Sequence, residues 1–325
     1  TRLMTPVRLL ALTAVCHFVA TGAAAQPPSA ETPGGAAALS TRLTVVKTEL
    51  EFIRREMGRP AFTQSEITPL DTAPRAIFAQ ALAMFRKADR LSFELARQRA
   101  SVLPLPLDQI EISHISPVVE ATLERINAVK TELGITEATA ETTSDRTDSL
   151  ADLLLAVAQA SGQLNLLLER RFSSSDVFEQ VTVAVNYTAR LLQQFPNAEQ
   201  IPAAPTFERF KRPSDVYLRL VICFELLGEI ARTSEISTLG LQRHSSTAAN
   251  VTSGDVYDLA TLLVSELSYI HSRVSSDEPS FDSYYPGRKL PSHAYQRVGL
   301  LEAQLNQLLA LVTMSPNWLT PSMPQ

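Results

Sequence analysis

The sequence predicts an all-α protein, a helical bundle or short solenoid of about eight long helices with an internal repeat of about 40 residues. Three observations lead there. Apolar residues recur at three- and four-residue spacing through most of the chain. Glycine is scarce, 11 in 325 residues, which disfavours a turn-rich β fold. One short helix-start signal returns again and again, each time followed by the same apolar stripe.

The stripe comes first at Leu43, Val46, Leu50, Ile53 and Met57, one face of a helix that Gly58 and Pro60 bring to an end. Next, Pro74-Arg75-Ala76-Ile77-Phe78 leads into Ala81, Met84, Phe85, Ala88, Leu91 and Leu95. A degenerate start lies at Ser116-Pro117-Val118-Val119, and a separate helix is expected from Leu150 to Phe172. Ser174-Ser175-Asp176-Val177-Phe178 opens the next stripe. The two clearest copies follow. Pro213-Ser214-Asp215-Val216-Tyr217 and Ser253-Gly254-Asp255-Val256-Tyr257 each begin an apolar series that repeats at the same offsets. The last, Pro291-Ser292-His293-Ala294-Tyr295, has His where the others have Asp.

The rings of Phe178, Tyr217, Tyr257 and Tyr295 follow one another at nearly even intervals of about 40 residues. The signal has a physical reason. Proline suits the first helical position, and an acid in the first turn opposes the helix dipole. Ser173 with Asp176 and Thr252 with Asp255 have capping-box spacing. The expected helices are 41–58, 73–100, 116–133, 148–171, 174–195, 213–233, 253–275 and 291–314. Long connectors leave open whether neighbours run parallel or antiparallel; only the short join near Ser173 demands a reversal.

The N-terminus has the layout of a secretory signal. Arg8 precedes an apolar run, Leu9 to Ala20, and Ala23-Ala24-Ala25 supplies small residues for cleavage before Gln26. Val15 before Cys16 fits lipoprotein processing poorly. The domains read as signal 1–25, flexible leader 26–40, N-terminal helical region 41–172, tandem helical repeats 173–314 and C-terminal tail 315–325. A periplasmic or secreted location follows from the signal. No later apolar stretch reaches the length expected of a membrane span, so the mature chain is not expected to be an integral membrane protein.

Removal of the signal takes away Arg2 and Arg8 and no acid. The rest has 27 basic and 34 acidic side chains, a net charge of −7, which argues against nucleic acid as a partner. Cys223, alone in an apolar stripe, reads as a small buried hydrophobe. His114, His244, His271 and His293 lack metal-ligand spacing, and no cofactor or catalytic motif is present. His293 is expected to cap its helix. Asn186 and Asn250 stand in glycosylation triplets that are not expected to be used. Trp318 in the tail is expected to pack back on the bundle.

One local feature has binding potential. The connectors 206–212 and 284–289 mix rings with basic residues just before helix starts, where backbone N–H groups attract anions. The candidate ligand-binding residues are Arg209, Lys211, Arg212, Tyr217, Tyr257, Arg288, Lys289 and Tyr295. The expected function is that of an exported interaction or scaffold module without catalysis, its partner a protein or envelope component. The alternatives are a carrier for a small apolar or anionic ligand and an enzyme with a dispersed site. N-terminal sequencing of the exported protein should begin at Gln26; retention of Met4 would refute the signal.

Overall fold

Stripes of apolar residues can be hidden only against one another, and the structure, a computed structural model, shows how they do so. It describes residues 33–62, 69–100, 109–139, 148–169, 171–241, 251–274, 287–315 and 318–319. The signal 1–25 lies outside these, as do the acceptor Asn250 and His244. Among the described residues there are eight helices: α1 (Pro33–Glu56), α2 (Pro74–Ala96), α3 (Ile112–Glu132), α4 (Leu150–Leu167), α5 (Ser174–Leu192), α6 (Pro213–Thr233), α7 (Ser253–Val274) and α8 (Pro291–Met314). Two very short strands, β1 (Pro69–Leu70) and β2 (Gly240–Leu241), pair antiparallel between connectors.

Two helices begin earlier than the stripes suggested. α1 starts at Pro33, inside the expected leader, because Leu39 carries its buried stripe one turn further back. α3 starts at Ile112, so Pro117 falls inside it, in its second turn, where the missing N–H leaves the Ser113 carbonyl without its intrahelical bond. Glu111 is its N-cap, and His114 Nδ1 accepts the Glu111 backbone N–H at 3.0 Å. α4, expected as a separate helix, opens with a capping box like that of α5, with Asp152 accepting from the Ser149 N–H at 3.0 Å.

The helices form two bundles with one packing pattern. In the first, α1 packs on α3 and α4, and α2 also packs on α3 and α4. In the second, α5 packs on α7 and α8, and α6 does the same. The pairs α1/α2, α3/α4, α5/α6 and α7/α8 thus stand diagonally. They also run parallel. The first turns of α5, α6, α7 and α8 surround one small gap through Ser174, Pro213, Ser253 and Pro291. In the first bundle, Ser40 bonds Asp148 near the starts of α1 and α4. At the far ends of α2 and α4, Glu94 accepts from the Glu169 N–H at 3.0 Å. A helix of about 20 residues is about 30 Å long. An extended chain needs about ten residues to climb back, which explains the long connectors.

Across the bundles the direction reverses. Arg75 near the start of α2 meets Glu266 far along α7, and Lys87 further along α2 meets Asp258 near the start of α7. The join between α4 and α5 at this reversal is short. α4 also meets a length and composition test for a membrane-spanning helix, contrary to expectation. Its Leu153, Leu154, Val157, Ala160, Leu164 and Leu167 are buried among α1, α2 and α7, which accounts for its apolar character.

A buried ion pair ties α1 to α3. Glu49 bonds Lys130 and accepts from the Thr139 hydroxyl at 2.8 Å and N–H at 3.1 Å. Burial pushes its carboxyl up, but the bonds from Lys130 and Thr139 outweigh this and hold it below its ordinary value of 4.5. The stabilisation is therefore present above pH 4.5 and is lost as pH falls through the lower folded value. Glu49→Gln should lower stability at neutral pH and flatten the acid limb of urea unfolding. An unchanged acid limb would contradict this assignment.

Candidate functional site

Three places gather chemically capable side chains. The first is the N-terminal end of the second bundle, where the two described basic connectors lie across neighbouring helix starts. Residues 205–211 run along α8. Gln296 donates to the Pro205 carbonyl at 2.8 Å, the Phe207 ring lies 5.0 Å from His293, and the Lys211 N–H donates to Ser292 Oγ at 3.2 Å. Residues 287–289 sit on the start of α5, where Ser175 Oγ donates to the Gly287 carbonyl and accepts from the Lys289 N–H, both at 2.9 Å.

Cations cover two of the rings in the helix-start signals. Lys211 Nζ lies 4.3 Å and the Arg219 guanidinium 4.5 Å from the Tyr295 ring centre. Lys289 and Arg297 sit over Phe178 at 4.9 and 4.6 Å. Gly299 makes room for Arg219, since a Cβ there would come within 2.5 Å of the guanidinium. Lys211 also pairs with Glu208 at 2.6 Å, and that hydrogen bond raises its pKa. Arg209, Arg212 and Arg288 face solvent. Phe210, in the same connector as Arg209 and Arg212, is 94% exposed, with a φ of 64° that bulky residues rarely adopt. Phe207 and Leu290 are also exposed.

The three tyrosines do not share a surface. Tyr295 belongs to the α8 edge just described, and Tyr217 is half-buried on α6. Tyr257 turns to the first bundle, where its ring lies 4.5 Å from Phe172 and its hydroxyl accepts from Arg86 at 3.2 Å. At three helix starts of this bundle an acid takes up the N–H of the capping residue. Asp176, Asp215 and Asp255 accept the Ser173, Arg212 and Thr252 N–H groups at 2.7–2.8 Å. His293 takes the same role in α8, its Nδ1 accepting the Leu290 N–H at 3.1 Å.

The second place is a cleft of about 500 Å³ between the bundles. Arg86, Arg90 and Arg99 line it with Phe93, Phe172 and Tyr257, against Asp89, Asp176 and Glu179. Arg90 stacks on Phe172 at 4.2 Å and pairs with Asp176 at 3.2 Å, whereas Arg99 lies 4.2 Å from Phe93. Beneath it, fully buried Lys87 reaches both oxygens of Asp258 at 2.7 Å and Ser161 Oγ at 2.8 Å. Burial pushes the Asp258 carboxyl up, and the Lys87 ammonium opposes that rise. The sequence carried a signal for this pair. Lys87 lies three residues after Met84 and four before Leu91, on the buried stripe of α2.

The third place, a smaller pocket at the start of α7, is lined by Asn165, Arg171 and Phe172 with Thr252, Ser253 and Gly254. Elsewhere, Cys223 is fully buried, and burial raises its thiol well above the usual range, which keeps it a poor nucleophile. Trp318 packs 5.5 Å from Phe195 and donates to Ser234 Oγ at 2.8 Å, as the tail was expected to do. Among the described residues, no three His, Cys, Asp or Glu side chains are grouped to hold a metal. No protein-family model, curated protein or solved structure matches the chain.

Lys87→Met would leave Asp258 buried and unpaired and should cost about 3–5 kcal/mol in urea unfolding. Adding Asp258→Leu should recover most of it. A double variant as weak as the single would show that the pair is not the cause.

Proposed function

We propose that the chain is an exported, non-catalytic interaction module of the periplasm or cell envelope, holding an acidic partner at the N-terminal end of its second bundle. The observation that carries this reading is Phe210. A fully presented ring in a left-handed backbone conformation, flanked in its connector by Arg209 and Arg212, is costly to maintain in isolation and suits insertion into a partner. Aromatic and arginine side chains together are the usual anchors of protein recognition. Lys211, Lys289 and Tyr295 support the platform from below, each engaged in the contacts that fix the connectors.

We also read the chain as tandem copies of one helix-plus-connector unit, with a period of about 40 residues. Helices start at 33, 74, 112 and 150 in the first bundle and at 174, 213, 253 and 291 in the second, close to that period within each and much closer together at the join. The shared capping chemistry and the shared packing pattern of the two bundles support this reading.

A second reading, a carrier for a small anionic ligand with an apolar body, draws on the cleft. Its arginines and rings suit such a molecule, and its volume falls within the range of small-molecule sites.

Site-specific photo-crosslinking in the exporting cell tests the first reading. A crosslinker at Phe210 should capture a discrete envelope component, and salt should reduce the yield, since the flanking arginines are exposed to screening. The same group at exposed Glu229, far along α6, is the control. No capture at 210, or the same products at 229, would refute the proposal.

A further inference from the structure

The start of α7 departs from the other helix starts of its bundle in a way that makes a binding pocket. The second helical residue is Ser175 in α5, Ser214 in α6 and Ser292 in α8, but Gly254 in α7. Ser175 and Ser292 use their hydroxyls to pin a connector. At Gly254 there is instead a side chain from the other bundle. A Cβ on Gly254 would lie 2.5–2.6 Å from the amide atoms of Asn165, so only glycine lets that amide sit against the helix start.

Asn165 is 6% exposed, and both its amide oxygen and its amide nitrogen are buried without a hydrogen-bond partner. Such a group costs stability unless something bonds it, and in a native protein it calls for a reason. It lines a pocket of about 220 Å³ with Arg171, Phe172, Thr252, Ser253 and Gly254. The capping box of α7 is satisfied on the Thr252 side. Asp255 accepts from the Thr252 N–H at 2.8 Å and hydroxyl at 2.7 Å, and Thr252 Oγ1 accepts the Asp255 N–H at 3.3 Å. The box does not use the N–H groups of Ser253 and Gly254, which belong to the positive end of a long helix.

We propose that this pocket binds a small oxyanion, a phosphate or carboxylate group, through the Arg171 guanidinium, the Asn165 amide nitrogen and the N–H groups of Ser253 and Gly254. Arg171 supplies the charge, the amide and backbone donors supply direction, and the Phe172 ring forms an apolar wall for whatever carries the anion. The site is separate from the Phe210 platform and stands whether or not that platform binds a partner.

The test uses the full processed chain, titrated with inorganic phosphate and separately with acetate, following the amide resonances of Ser253 and Gly254. Saturable shifts at millimolar concentrations are expected with at least one anion. Phosphate alone points to a phosphate-bearing ligand and acetate alone to a carboxylate. Arg171→Gln, at an exposed side chain, should weaken binding about tenfold or more with the fold intact. Asn165→Leu should weaken it similarly while raising the Tm, because it removes an unsatisfied buried amide. Gly254→Ser, which copies the other helix starts, should abolish it. Saturation by neither anion, or variants that bind like the wild type, would overturn the proposal.

Discussion

Parallel helices within each bundle impose the central constraint on this structure. Four aligned helix dipoles bring their positive ends together, which is unfavourable unless charge or hydrogen bonding offsets them. In the second bundle, Asp176, Asp215 and Asp255 place carboxylates at three of those ends, and His293 Nδ1 accepts the corresponding N–H at the fourth. The recurrence of the start signal is thus a consequence of geometry as well as of local helix chemistry. The same constraint sets the connectors, which must climb the bundle before the next helix can start. Having to pass over the helix starts, they bring Lys211 and Lys289 onto the rings of Tyr295 and Phe178.

The seam between bundles follows different rules. α2 and α7 face both their own bundle and the opposite one, so α7 is buried nearly all round, and its polar residues need internal partners. Glu266, fully buried, receives Arg75 Nε at 3.2 Å and Nη2 at 2.8 Å, together with the Leu239 N–H at 3.2 Å. Lys87, Asp258 and Ser161 bond one another in the same seam. A slipped register of α2 on α7 would leave the buried Glu266 and Asp258 without these partners. Next to the seam the bundles diverge, and the divergence makes the cleft around Phe172.

Binding chemistry on this molecule is concentrated at places where one chain segment crosses another. The Phe210 platform exists because a connector crosses α8, the cleft because two bundles diverge, and the Asn165 pocket because α4 ends against the start of α7. Helix faces are largely committed to packing, and the acidic caps already occupy most helix starts. That leaves arginines and rings at crossings as the groups most available to other molecules.

Much of this was legible in the sequence. Helical periodicity placed each of the described helices, with α6 and α8 delimited to the residue, because local propensity and capping act within a few positions of the chain. The sequence also identified the basic connectors, the His293 cap and the buried Cys223. It missed the early starts of α1 and α3, where a buried Leu39 and the His114 cap extend the helices beyond their obvious stripes. Helix direction, the diagonal packing and the pairing of Lys87 with Asp258 were decided only by tertiary structure. Each depends on which distant faces meet, and apolar stripes of similar width fit one another in several arrangements. Buried charges such as Lys87 and Glu266 disfavour arrangements that leave them unpaired, and that preference acts only once the helices meet.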